Sequence, residues 1–270
     1  MSTKLKIAAA VAAAVLLSAC SSPKHEPMPL VNFTPSMEVT EVWSKGLSSA
    51  EGFLVPAVYD DMVFAAGGKT LTRLNARTGE TEWSVSFDSP ITGGVGSDGY
   101  VTAVGLWDGN LEVVDAEGKV SWEKKLTTEL ASPPVVSHGL VIARTMDTRV
   151  SAFEASSGEL QWTYQKSQPA LTVRLPTRML AHDNFLLVGQ PNGHIVILDI
   201  ASGKPVFEFQ VAQAKGVTEV ERLVDVVGAP AFSENLVCAA AFQGAVTCVD
   251  STNGQTKWTQ KIDAVAGPAI

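Results

Sequence analysis

Five times along this chain a glycine is followed four residues later by a large aromatic. The pairs are Gly79/Trp83, Gly118/Trp122, Gly158/Trp162, Gly203/Phe207 and Gly254/Trp258. Successive glycines lie 39, 40, 45 and 51 residues apart. Just before each one, a polar residue closes an apolar run: Asn75, Asp115, Glu154, Asp199 and Asp250. The side chain of such a residue bonds the turn backbone, and the glycine supplies a positive φ. The aromatic then falls on the outgoing strand, where it packs between neighbouring sheets.

Upstream of each hairpin lie further short apolar runs. In the first repeat these are Leu54–Tyr59, Met62–Ala66 and Leu71–Leu74. Asp60-Asp61, Ser97-Asp98-Gly99, His138-Gly139, Asp183-Asn184, Asp108-Gly109-Asn110, Asn192-Gly193 and Gln243-Gly244 separate such runs and are hairpin turn chemistry. Four short strands in about 40 residues is the period of a β-propeller blade. A helical solenoid of similar period needs 3.6-residue periodicity, which is missing. The expected fold is therefore all-β: a propeller of four-stranded, WD-type blades, with about five blades and the start of a sixth. Gly267-Pro268-Ala269-Ile270 matches the small, Pro-rich blade openings at 55–58, 132–136 and 228–232. The expectation is a chain truncated at its C-terminus within a larger propeller, leaving an exposed edge. Residues 38–44 are expected as a lone strand carrying a blade-type aromatic, Trp43.

The N-terminus reads as an address. Lys4 and Lys6 precede an apolar run of 11 residues, Ile7 to Leu17, too short to span a bilayer and normal for a secretory signal. Leu17-Ser18-Ala19-Cys20 resembles the bacterial lipobox, which implies a cut before Cys20, a diacylated thiol and an acylated amino group. More than one acyl chain gives durable anchoring. Ser21, where an aspartate would retain an inner-membrane lipoprotein, resembles the outer-membrane sorting signal and implies the periplasmic face of the outer membrane. The domains are then a signal at 1–19, a lipidated N-terminus and Pro-rich tether at 20–36, and the propeller at 37–270. Losing the signal leaves 18 basic against 28 acidic residues, a net charge of −10. That balance disfavours nucleic acid, whose phosphates need clustered Lys and Arg.

The Asp-x-x-x-Gly-x-x-x-Trp hairpin resembles the pyrroloquinoline-quinone (PQQ)-like propeller repeat. Joined to the lipobox, it resembles the BamB family of lipoproteins in the outer-membrane β-barrel assembly (BAM) complex. Two stretches carry that resemblance further: Ala170-Leu171-Thr172-Val173-Arg174 and Thr218 to Val226. The resemblance implies docking on the POTRA domains of BamA through Leu171, Val173, Arg174 and Asp225, with Glu221 and Arg222 as additional contacts. It also implies a scaffold that assists insertion of β-barrel proteins, possible contact with unfolded barrels, no catalysis and no cofactor. A second aspartate of the family pattern is Val227 here.

The repeat spacing marks the same stretches independently. The 45- and 51-residue spacings exceed the others after the hairpin, in connections between neighbouring blades, and these emerge on one face. Enlarged neighbouring loops on a rigid scaffold are where function concentrates. In Gln210–Val227, Val217, Val220 and Val224 are at helical spacing and predict a short helix. Arg222 is a candidate tie to Asp225 or to Glu219.

Candidate chemistry is sparse. Gly94-Val95-Gly96-Ser97-Asp98-Gly99 spells a dinucleotide motif, but it spans a strand-to-strand turn with no helix to receive a phosphate. His25, His138, His182 and His194 have no metal-ligand spacing. Cys238 and Cys248 occupy the positions of Leu187 and Ile197 one repeat earlier. Two buried small hydrophobes and a cross-strand disulfide both fit, and strand register decides between them. Quinoprotein dehydrogenases share the repeat, so a fragment of a periplasmic PQQ dehydrogenase is the alternative, as is a propeller lipoprotein with another periplasmic partner. The enzyme reading lacks the adjacent cysteines and calcium ligands that the quinoprotein resemblance would imply.

Overall fold

The computed structural model describes residues 32, 34–49, 54–167 and 169–270. The expected signal, Cys20 and most of the expected tether lie outside the described residues. The chain divides into two compact units, 1–41 and 42–270. The described residues of the first unit hold no strand.

The second unit is a run of five four-stranded antiparallel sheets, each an up-and-down meander in sequence order. Blade one is β1(Ala57–Tyr59), β2(Met62–Gly67), β3(Thr70–Asn75) and β4(Thr81–Ser86). Blade two is β5(Ile91–Ser97), β6(Thr102–Leu106), β7(Asn110–Val114) and β8(Val120–Lys125). Blade three is β9(Val135–Ser137), β10(Leu140–Arg144), β11(Val150–Glu154) and β12(Leu160–Tyr164). Blade four is β13(Leu180–His182), β14(Phe185–Gly189), β15(His194–Asp199) and β16(Pro205–Gln210). Blade five is β17(Val226–Ser233), β18(Leu236–Ala241), β19(Gly244–Asp250) and β20(Thr256–Ile262).

The core lies between sheets. Phe64 and Leu71 of blade one pack with Val95, Val104 and Val114 of blade two. Ile142 and Val150 of blade three pack with Val188 and Val196 of blade four. The second and third strands of a blade are covered on both faces, so they read as continuous apolar runs. The fourth strand alternates between exposed and more covered residues in blades one to three, while β16 buries only Phe209 and β20 is exposed throughout.

The repeated hairpin is built alike in the five blades, except that Glu154 receives the turn N–H groups of Ser157 and Gly158 on its backbone carbonyl and not, as expected, on its side chain. All five turn glycines have φ between +68° and +80°. Asn75, Asp115, Asp199 and Asp250 each accept turn N–H groups on their side-chain oxygen. In every blade the register slips by one residue at the aromatic, where the fourth strand carries a bulge. A bulge re-aims the side chain beside it. The tryptophan therefore leaves its own sheet and reaches the next one. Trp83 Nε1 donates to the Ala116 carbonyl at 2.9 Å, Trp122 to Ala155 at 2.8 Å and Trp162 to Ile200 at 2.8 Å. Each indole also lies against the turn glycine of that next blade.

Residues 38–44 form no strand. Trp43 still makes the same latch, donating to Ala76 at 2.9 Å beside Gly79. The indole needs the carbonyl and the glycine, and not a sheet behind it.

Candidate partner-binding surface

In these meanders, the connection from one blade's last strand to the next blade's first always emerges at the same end of the sheets. The four connections are 87–90, 126–134, 165–179 and 211–225, so the last two are the longest. They carry every residue that the sequence singled out for binding.

These two connections are stitched together. The Val173 N–H donates to Asp225 Oδ2 at 2.5 Å. Gly228 N–H donates to the Pro176 carbonyl at 2.8 Å, and Arg178 N–H to the Gly228 carbonyl at 3.0 Å. Thr177 and Gly228 form a parallel bridge. The fifth blade's entry strand thereby fixes a loop that belongs to the gap between blades three and four.

Exposure sorts the candidates. Leu171 is 42% exposed and Arg174 is exposed, while Val173 is half-buried. Asp225 is 5% exposed, with its carboxylate turned inward. Burial pushes its pKa up to about 6, against the opposing pull of the Val173 N–H and the Arg144 charge. Arg144, at the end of β10, is buried as well and donates from Nη1 to Thr177 Oγ1 at 3.4 Å. Desolvation lowers its pKa to about 10, and Asp225 counteracts that. Sequence reading missed Arg144. Its only signal was a charge closing the apolar run Leu140–Ala143. Val227, where the family pattern has a second aspartate, is buried with Ala240 and Ala264.

The helix expected within 210–227 is absent; residues 219–222 form a turn. Glu221 Oε2 accepts the N–H groups of Val217 and Thr218, and Glu221 N–H donates to Thr218 Oγ1. This is a capping box with no helix to cap, since bonds of Arg222 to Glu219 and Leu223 to Val220 end the segment after one turn. Those N–H groups hold the Glu221 carboxyl below its usual range. Val217 and Val220 are exposed and Val224 is buried, so the three share no face. Arg222 pairs with Glu219 at 3.6 Å.

Elsewhere, Cys238 and Cys248 are directly opposed on β18 and β19 and joined as a disulfide, while both stay buried. Register puts them where Leu187 faces Ile197 in blade four. The Gly94–Gly99 motif runs along β5 into a turn leading to β6, with no helix after it. Among the described residues, no three His, Cys, Asp or Glu side chains gather in a metal-binding group. His138 bonds Ser137 and Asn184, His194 bonds the Asn192 carbonyl, and His182 stacks on Phe232.

Comparison with known proteins agrees with this architecture. Residues 67–270 match the family model described as outer membrane protein assembly factor BamB. The chain is 38% identical to the outer membrane protein assembly factor BamB of Burkholderia pseudomallei, over 97% of this chain and 70% of that protein. It is 34% identical to that of Bordetella pertussis, over 94% of this chain and 68% of that protein. The crystal structure of BamB from Moraxella catarrhalis superposes with a TM-score of 0.72 at 27% identity, covering 79% of this chain and 65% of that one. The chain thus spans about two thirds of the length of these relatives. Quinohemoprotein alcohol dehydrogenase from Comamonas testosteroni shares the fold, with a TM-score of 0.61 at 18% identity. With a latched five-sheet array, a family model covering most of its length and relatives above 30% identity, the chain belongs to the BamB family of outer membrane protein assembly factors.

Proposed function

We propose that this chain is a non-enzymatic scaffold of outer-membrane protein assembly. It docks on the POTRA domains of BamA through the stitched connections 169–178 and 217–225. The observation that carries this reading is the Asp225–Val173 bond, which makes one rigid surface from two loops of different blades. A rigid loop loses little entropy on binding, so its contacts translate into affinity. Leu171 and Val173 supply apolar anchors and Arg174 a guanidinium for an acidic group on the partner. Asp225 acts as a positioning residue beneath them. Glu221 and Arg222 shape the neighbouring turn. Acylation of Cys20 would hold the body at the periplasmic face of the outer membrane.

The test is a binding titration of the full chain with purified BamA POTRA domains. Leu171→Ala and Arg174→Ala are each expected to weaken binding by about tenfold or more, as hot-spot truncations do. Undiminished binding in both variants would remove this surface from the interface.

A further inference from the structure

Four tryptophans latch onto a following blade in the same way, but the place between blades four and five holds Phe207. The equivalent acceptor is the carbonyl of Ser251, the residue after Asp250. Its N–H is tied to the Asn235 carbonyl at 2.7 Å, as Ala76 and Ile200 are tied in their blades. Phenylalanine has no N–H to offer it. The ring also sits differently. A methyl added at Gly254 would meet Phe207 first at Cζ, the ring tip, whereas at the other turn glycines it would meet the indole flank at Cδ2 or Cε3.

At this seam lies a cavity of about 450 Å³ between the two blades. Its walls include Leu187, Ile197, Phe207 and Phe232, with the Ser251 turn at one side. Phe185, Val206 and Phe207 at its lining are 42%, 53% and 41% exposed, while Trp162 at the preceding seam is 9% exposed. A concave apolar site with few polar groups is the usual form of a binding pocket, and clustered exposed apolar residues mark interaction sites.

We infer that this seam is a receptor for a tryptophan side chain presented by an extended segment of another polypeptide. The chain itself shows what the seat accepts. Trp43 comes from a segment that pairs with no strand, yet its indole reaches the matching carbonyl and glycine of blade one. A foreign tryptophan entering beside Phe207 would place its N–H on the Ser251 carbonyl and its ring against Phe207 and Phe232. The site lies among the turns at the end of the blades opposite the stitched connections, so the two surfaces are separate.

The experiment is a fluorine NMR titration of the full chain with a capped pentapeptide, Ala-Ala-(5-fluorotryptophan)-Ala-Ala. Saturable broadening is expected, with binding about tenfold weaker for the same peptide methylated on the indole nitrogen. Phe207→Trp fills the seat from within, so it should abolish binding while melting no lower than wild type. Val206→Glu, an exposed change at the mouth, should weaken binding and keeps the test decisive if Phe207→Trp does not fold. Equal affinity for both peptides, unchanged binding in both variants, or no binding at millimolar peptide would overturn the proposal. So would free 5-fluoroindole binding as tightly as the peptide, which would make the site one for small aromatics. Arg174→Ala should leave peptide binding unchanged, which separates this site from the POTRA-docking surface.

Discussion

Asp225 and Val173 are 52 residues apart in sequence, and the carboxylate of the first accepts the backbone N–H of the second at 2.5 Å. The bond converts two long connections into a single surface. It also gives the buried Asp225 a structural role: it holds in place the loop that carries the more exposed Leu171 and Arg174.

Replacing Asp225 with alanine leaves the Val173 N–H without its partner. Losing a charge-assisted bond of this kind costs about 1.5–3 kcal/mol. Asp225→Ala is expected to lower the chemical unfolding midpoint and to weaken POTRA binding, although the side chain is buried. Asp225→Asn keeps an acceptor oxygen and should retain most of both. Urea denaturation together with the binding titration checks this.

Among the described residues, two carboxyls titrate higher in the fold than in the unfolded chain. Burial raises Asp225 to about 6, and burial with the opposed Glu123 raises Glu112 to about 7. For each, the folded state holds its proton more tightly. The stabilisation is complete below the unfolded pKa, near 4, and is lost as pH rises through 6 and 7. Carboxyls shifted down, such as Asp147 and Asp199, act the other way and cost stability only below about pH 4. The domain should therefore melt higher at pH 5 than at pH 7.5. Glu112→Gln should flatten that difference and stabilise the protein at pH 7.5 by about 1 kcal/mol, since it removes a like-charge pair across β7 and β8. Calorimetry at the two pH values checks both.

The latches carry stability between blades. Trp162→Phe keeps most of the ring but leaves the Ile200 carbonyl without its donor, for an expected loss of about 1–2 kcal/mol. Gly118→Ala should cost more than 1 kcal/mol. Its φ is +80°, and the added methyl would lie 2.6 Å from Trp83 Cδ2. Thermal melts of the two variants measure each term.

The Cys238–Cys248 bond closes a short loop within blade five. The chain-entropy model assigns such a loop about 2–3 kcal/mol. Treatment with a reductant should lower the melting temperature of wild type and leave a Cys238→Ala/Cys248→Ala variant unaffected by the reductant.

Much of the fold was legible because propeller blades are built from local contacts. The glycine, the polar residue before it and the aromatic after it lie within nine residues, so one hairpin can be read five times. Trp43 was found by its residue type, but its strand was not there, because the latch depends on a carbonyl 33 residues away and not on pairing. The valines of 217–224 suggested a helix by spacing alone. The segment instead turned once, with Glu221 occupied by the N–H groups of Val217 and Thr218.

By itself, then, the sequence determined the blade period, the turn chemistry and the two enlarged connections, since each depends on residues close together in the chain. The tertiary structure alone decided what those connections do to one another, that Arg144 and Asp225 lie beneath them, that Cys238 meets Cys248, and that replacing one indole with Phe207 coincides with a cavity. Those outcomes depend on strand register and on distances between blades, which no local pattern encodes.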